Sequence, residues 1–330
     1  MSLAACDANN ESGRDAGMGD IDYPLDQVLT LNYVQAKGTH NSYHIQPRIP
    51  FDPSHCYSHK PLDAQLQEQG VRQFELDLHL RVREGFEVFH VPVVDEKTTC
   101  RRFVDCLTTV REWSDVHPWH MPIVIWVEPK DDFVLPPMIP IAGHWEEFEA
   151  EILSVWPEER IVKPDEVRKG HATLPDAIAA EGWPTLGELR GRVIFSLLDT
   201  GTHREEYTED APALEGQLMF VASSEVTDSF AAFFKVNNAQ SEFEKARMLV
   251  ESGFIVTSNV DGVEWDDERN AERLMASLDA GVHFLSSDLP GQIPGRDYWC
   301  DLPDGDPARC NPVYDIHTCT PADIERLHSP

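Results

Sequence analysis

Three short stretches of this chain bring oxygen ligands and histidines to the ends of runs that read as β-strands. The first is Gly38-Thr39-His40-Asn41-Ser42. The second contains Glu75 and Asp77, whose i, i+2 spacing puts both carboxylates on one face of a strand. The third ends in Glu128, after an apolar run over 123–127. Asn41, Glu75, Asp77 and Glu128 together offer three carboxylates and an amide oxygen. That donor set suits a hard cation, Ca2+ before Mg2+. Without a cation, burying three carboxylates together would cost several kcal/mol or force protonation. Two histidines accompany the set. His40 adjoins Asn41, and His90 closes the run Phe86-Glu87-Val88-Phe89. Imidazoles titrate near neutrality, so such a pair can divide general-acid and general-base work. His55, His59, His79 and His117 read as structural.

These residues need a frame that gathers strand ends. β-rich runs recur at 32–39, 71–78, 121–128, 192–199, 218–223, 233–238, 254–259 and 282–288. Several are almost continuously apolar, as in strands covered on both faces. Helical spacing fits 62–69, 100–116, 144–156, 185–189, 241–252 and 267–280. In the second of these, Phe103, Leu107, Val110 and Trp113 lie on one face. Thr185 and Glu188 form a capping-box pair. Eight strands alternating with helices predict a distorted (β/α)8 TIM-type barrel, whose active site forms at the carboxyl ends of the strands. The 71–78 strand and the 86–91 run could instead pair as a hairpin around Glu84-Gly85. The expected organisation is a flexible arm over 1–28, the barrel over 29–292 and an extension over 293–330 packed on it.

The chain has 330 residues, with 27 Lys and Arg against 58 Asp and Glu, a net charge of −31. That charge excludes nucleic acid as a partner and disfavours electrostatic docking on an anionic bilayer. No apolar run is long enough to span a membrane. Cys100 and Cys106 are close in sequence, as are Cys300, Cys310 and Cys319 in the Pro-rich tail. Disulfides stapling that tail fit an oxidising compartment, so the chain is expected to be secreted or periplasmic. Leu3-Ala4-Ala5-Cys6 looks like part of a lipoprotein cleavage box and suggests an anchor through Cys6.

The order Gly38-Thr39-His40-Asn41-Ser42-Tyr43-His44, Phe74-Glu75-Leu76-Asp77-Leu78, Phe89-His90 and Trp126-Val127-Glu128-Pro129-Lys130-Asp131 resembles the catalytic region of the calcium-dependent bacterial phosphatidylinositol-specific phospholipases C. Trp183-Pro184-Thr185-Leu186, Arg190-Gly191-Arg192-Val193-Ile194-Phe195 and Ser286-Ser287-Asp288-Leu289-Pro290 extend the likeness over about residues 30–290. The resemblance implies one catalytic Ca2+ held by Asn41, Glu75, Asp77 and Glu128, with His40 and His90 as the catalytic pair. It implies attack by the inositol 2-hydroxyl on the phosphodiester, with diacylglycerol released. Glu75 or Glu128 would take the proton, and the division of labour between the histidines stays open. Lys130 and Ser258 are expected to contact substrate. The family usually places arginines where Thr257 and Asn259 stand, a departure that bears on the headgroup. Two alternatives remain: a glycerophosphodiester-type phosphodiesterase with a soluble substrate, and a catalytically weak Ca2+-dependent module that binds phospho-ligands. The expected partners are a phospholipid or glycerophosphodiester substrate and peripheral contact with a membrane. The chain is expected to be a monomer.

Overall fold

The computed structural model describes residues 23–314 and 318–326. Cys6 and the rest of 1–22 lie outside the described residues. In chain order the strands are β1 (Val34–Thr39), β2 (Val71–Arg81), β3 (Gly85–Val88), β4 (Ile123–Pro129), β5 (Met138–Ile139), β6 (Val193–Leu197), β7 (Phe220–Val221), β8 (Phe233–Lys235), β9 (Ile255–Asn259), β10 (Phe284–Ser287) and β11 (Ala308–Cys310). Eight of them form one parallel sheet in the order β7-β6-β4-β2-β1-β10-β9-β8. A single parallel bridge, Ala222 to Phe233, nearly closes it into a barrel. There Ser223 N donates to Phe233 O at 2.8 Å. The fully buried side chains of β6 and the apolar run of β4 show why these strands read as continuous apolar segments: helices cover them outside and the barrel interior covers them inside.

The hairpin around Glu84-Gly85 also forms, with β3 antiparallel to β2, but in addition to the eight barrel strands rather than in place of one. It explains why β2 runs past 78 to Arg81. Gly38 leaves room for the Gln73 side chain where β1 meets β2. A Cβ there would stand 2.6 Å from Gln73 Oε1 and 2.9 Å from its Cδ. Trp126 fills the barrel floor, and its Nε1 donates to Thr257 Oγ1 on β9 at 3.3 Å. The helix Phe103–Val116 buries Phe103, Leu107, Val110 and Trp113 as its spacing predicts. A Cys100–Cys106 disulfide ties its first turn to the preceding segment. Thr185 and Glu188 cap Leu186–Leu189 reciprocally.

The C-terminal extension packs on the barrel. β11 pairs antiparallel with β1, and Cys310–Cys319 closes a short loop behind it. Cys300 does not join the staple; it is a buried free thiol, because its side chain points into the core instead of toward the other two cysteines. Farther on, Arg72, wholly buried on β2, donates from Nε to both Glu325 oxygens at 3.0–3.1 Å. Glu325 Oε2 also accepts from Met121 N at 2.9 Å. Removing one partner strands a buried charge. Glu325→Ala is therefore expected to lower unfolding free energy by ~3–5 kcal/mol. A fall in the urea midpoint at constant slope would report it, and an unchanged midpoint would contradict it.

Candidate active site

The carboxyl ends of β1, β2, β4, β8, β9 and β10 open onto a cleft of about 590 Å3. Its first wall is the turn after β1, which is pinned from several sides. Ser42 Oγ accepts from Glu75 N at 2.8 Å, and Ser42 N donates to Glu75 O at 2.9 Å. Gln65 Nε2 donates to Ser42 O, and Thr39 Oγ1 donates to Gln65 Oε1. His59 Nε2 donates to the His40 carbonyl at 2.8 Å. Asn41 then turns the chain at φ +44°, a left-handed conformation that asparagine accepts more readily than most residues. His40 and Asn41 consequently face the cleft.

The acids come from adjacent strands in register. Glu75 lies beside Trp126, and Asp77 lies directly beside Glu128, across the parallel pair β2–β4. Oxygens of Glu75, Asp77 and Glu128 all lie within 4.8 Å of one another. Two lysines partly balance them. Lys235 Nζ donates to Glu75 Oε2 at 2.6 Å, and Lys130 Nζ donates to Glu128 Oε1 at 2.6 Å. Burial works against ionisation of Glu75, yet Lys235 and His40 hold its carboxyl below the ordinary value. Burial and the neighbouring Asp77 push Glu128 up to about 7. Asp77 is fully buried, and neither of its oxygens receives a well-formed hydrogen bond. Lys130 Nζ lies 3.2 Å from Oδ2. A buried carboxylate left this way is costly unless a cation completes it. The buried Asp77 carboxylate, the two flanking glutamates and the Asn41 side chain of the same cleft therefore fit a hard divalent cation.

The two histidines are each held by an aspartate. His40 Nδ1 donates to Asp288 Oδ1 at 2.9 Å, and its Nε2 lies 3.7 Å from Glu75 Oε1. Burial disfavours its charge, but Asp288 and Glu75 raise its pKa to about 9. Asp288 is fixed in turn by Asp261, whose Oδ1 accepts from Asp288 N at 2.7 Å. His90 Nδ1 donates to Asp95 Oδ2 at 2.8 Å, which leaves Nε2 free of Asp95.

Lys130 lines the cleft, bound to two of the acids. Ser258 does not. It is fully buried, and its Oγ accepts from Ala239 N at 3.2 Å. Strand alternation turns Asn259 to the cleft in its place. The expectation that Ser258 touches substrate is corrected on that ground. Lys235, Asp288, Asp95 and Arg273 were not singled out from sequence. Only Asp288 carried a signal, in the Ser286-Ser287-Asp288 end of β10. His59, His79 and His117 sit in packing or backbone hydrogen bonds, whereas His55 lines the cleft.

A family model described as Ca2+-dependent phosphoinositide phospholipase C matches residues 79–312. No curated protein matches the sequence. Among solved structures, the calcium-dependent phosphoinositol-specific phospholipase C of a Pseudomonas species is 18% identical with a TM-score of 0.60. That alignment covers 88% of this chain and 98% of the other. The Ca2+-dependent phosphatidylinositol-specific phospholipase C of Streptomyces antibioticus is 19% identical with a TM-score of 0.59, covering 79% and 95%. At these identities the likeness speaks for the fold.

Proposed function

Since this chain belongs to the Ca2+-dependent phosphoinositide phospholipase C family of phosphodiesterases, we propose that it cleaves phosphatidylinositol on the glycerol side of the phosphodiester, by attack of the inositol 2-hydroxyl. The observation that carries this reading is the cluster of Glu75, Asp77 and Glu128, whose oxygens lie within 4.8 Å of one another with Asp77 fully buried, in a cleft with two aspartate-held histidines. Asn41, Glu75, Asp77 and Glu128 would hold Ca2+, which would polarise a phosphate oxygen and lower the pKa of the attacking hydroxyl. The protein's own groups do the rest. Glu75 or Glu128 accepts the proton of the 2-hydroxyl as its oxygen bonds to phosphorus. His40, charged between Asp288 and Glu75, donates to the developing negative charge. His90, oriented by Asp95 at Nδ1, passes a proton from Nε2 to the glycerol oxygen as that P–O bond breaks. The products are a cyclic inositol phosphate and diacylglycerol.

Asn259, in place of the family's arginine, favours a second reading with a soluble glycerophosphodiester as substrate. A panel settles the choice: phosphatidylinositol vesicles, glycerophosphoinositol and other glycerophosphodiesters, each with Ca2+ and with EDTA. Cyclic phosphate from vesicles, abolished by EDTA, is the expected result. Turnover that persists in EDTA refutes the metal-dependent mechanism.

The two disulfides support an extracytoplasmic location. Among the described residues, no helix is long and apolar enough to cross a membrane. Peripheral contact is supported by the two loops beside the cleft, joined by the bridge His44–Thr98, the second loop being closed on itself by the bridge Val91–Asp95. They expose Ile49 and Phe51 on one and Val93 and Val94 on the other, an apolar rim of the kind that marks an interaction surface. Ile49→Ser with Phe51→Ser should raise KM for vesicles several-fold and leave KM for glycerophosphoinositol unchanged. Equal effects on both substrates would exclude the rim as a membrane contact.

A further inference from the structure

Beside the carboxylate cluster lies a second group whose donors are nitrogens. Asp95 is fully buried and is faced by three imidazoles. His44 Nε2 stands 2.9 Å from its Oδ2, His90 Nδ1 2.8 Å and His55 Nδ1 3.5 Å. The rings pack edge to face, with His55 and His90 4.9 Å apart and His44 and His90 6.1 Å apart. One ligand atom each from His44, His90 and Asp95 fits within a 4.8 Å span. The hydrogen bonding is incomplete: the Nδ1 atoms of His44 and His55 are buried and form no hydrogen bond. Orienting His90 for catalysis needs only Asp95. It does not account for a second fully buried imidazole and a third at the cleft wall.

We propose that His44, His55, His90 and Asp95 form a second metal site that takes Zn2+ and arrests turnover when filled. Three nitrogens and one carboxylate oxygen match the donor preference and four-coordinate geometry of Zn2+. Ca2+, an oxygen-seeking ion, is poorly served there. Zn–N bonds of about 2.0–2.1 Å set tetrahedral donors ~3.3 Å apart, close to the 2.8–3.5 Å that now separates Asp95 Oδ2 from the three facing nitrogens. His44 and His90 would ligate as neutral rings through the nitrogens now facing Asp95, each keeping one proton on its other ring nitrogen and releasing to solvent any proton the metal displaces. Burial and the neighbouring His90 already hold the His55 imidazole below its ordinary pKa, which favours the ligating form. Two cation sites of different chemistry then share one cleft. The oxygen site serves turnover, and the nitrogen site withholds His90 from proton transfer.

The binding claim stands on this geometry, whereas arrest of turnover rests on the proposed role of His90. The full chain, saturated with Ca2+, is titrated with Co2+ as a spectroscopic probe and with Zn2+ by calorimetry. One Co2+ per chain should give the intense visible absorption of a tetrahedral centre. Asp95→Asn should abolish it. His55→Ala, on a partly exposed loop, should weaken Zn2+ binding at least ~10-fold even if Asp95→Asn fails to fold. Glu128→Gln should keep the site. Weak octahedral absorption, Zn2+ binding unchanged in His55→Ala, or Zn2+ binding lost in Glu128→Gln would each overturn the proposal. In the wild type, Zn2+ should stop turnover reversibly. Binding at the site with undiminished turnover would overturn the arrest and the role of His90 together, and leave the metal site standing.

Discussion

His40→Gln is expected to lower kcat on phosphatidylinositol at least ~10^2-fold, the lower range for losing a positioned acid–base group, with little change in vesicle binding. His40 is held at both nitrogens: Nδ1 donates to Asp288 at 2.9 Å, and Nε2 faces Glu75 at 3.7 Å. Two carboxylates raise its pKa against burial, so the ring carries its proton at neutral pH. A glutamine keeps the bulk and a hydrogen-bond donor but loses the positive charge that would meet the phosphate in the transition state. Asp288→Asn tests the same element from behind. Asp288 would be a positioning residue, so its loss should cost less and should move the pH at which activity declines toward neutrality, because His40 would lose its charge more easily. An unaffected rate in His40→Gln removes that residue from the chemistry. An unaltered pH profile in Asp288→Asn removes the dyad.

The second large effect concerns Asp77, and its sign depends on the metal. In the wild type, Ca2+ at 100-fold its dissociation constant should add about 2.7 kcal/mol of stability. Asp77→Asn should forfeit most of that gain and reduce turnover to near the EDTA background. In EDTA, however, the same substitution should leave the protein at least as stable as its parent. There it neutralises one of three carboxylates whose oxygens crowd within 4.8 Å of one another, a fully buried one that shares Lys130 with Glu128. Thermal melts with and without Ca2+ read both halves. A Ca2+-induced shift of equal size in the two proteins would show that Asp77 holds no metal.

The eight strands were legible because each is an apolar run of strand length closed by polar residues, and the helices between them keep a 3.6-residue period. The acids were legible for a related reason: Glu75 and Asp77 interrupt an apolar strand on one face, and a buried position pays for such interruptions only when it uses them. What the sequence concealed is long-range pairing. Lys235 meets Glu75 across 160 residues, and it ends a three-residue strand with no pattern of its own. Asp95 organises three histidines from a turn that reads as ordinary loop. Ser258 was misplaced by one position, and in a strand one position is a change of face. Cys300 was grouped with its neighbours in sequence, although burial rather than proximity decided its state.

The first and last barrel strands are partners. β1 pairs with β10, Lys37 beside Leu285, so a growing chain must carry β1 with an open edge while about 250 further residues are added. At synthesis rates of 5–20 residues per second, that is a wait on the order of 10–50 s. Arg72 waits longer still, for Glu325. Through this interval the amino-terminal half exposes apolar strand edges of the kind that aggregate. Chaperone occupancy during translation should therefore be highest before residue 285 emerges, and ribosome-bound chains should turn protease-resistant only after the final strap is released.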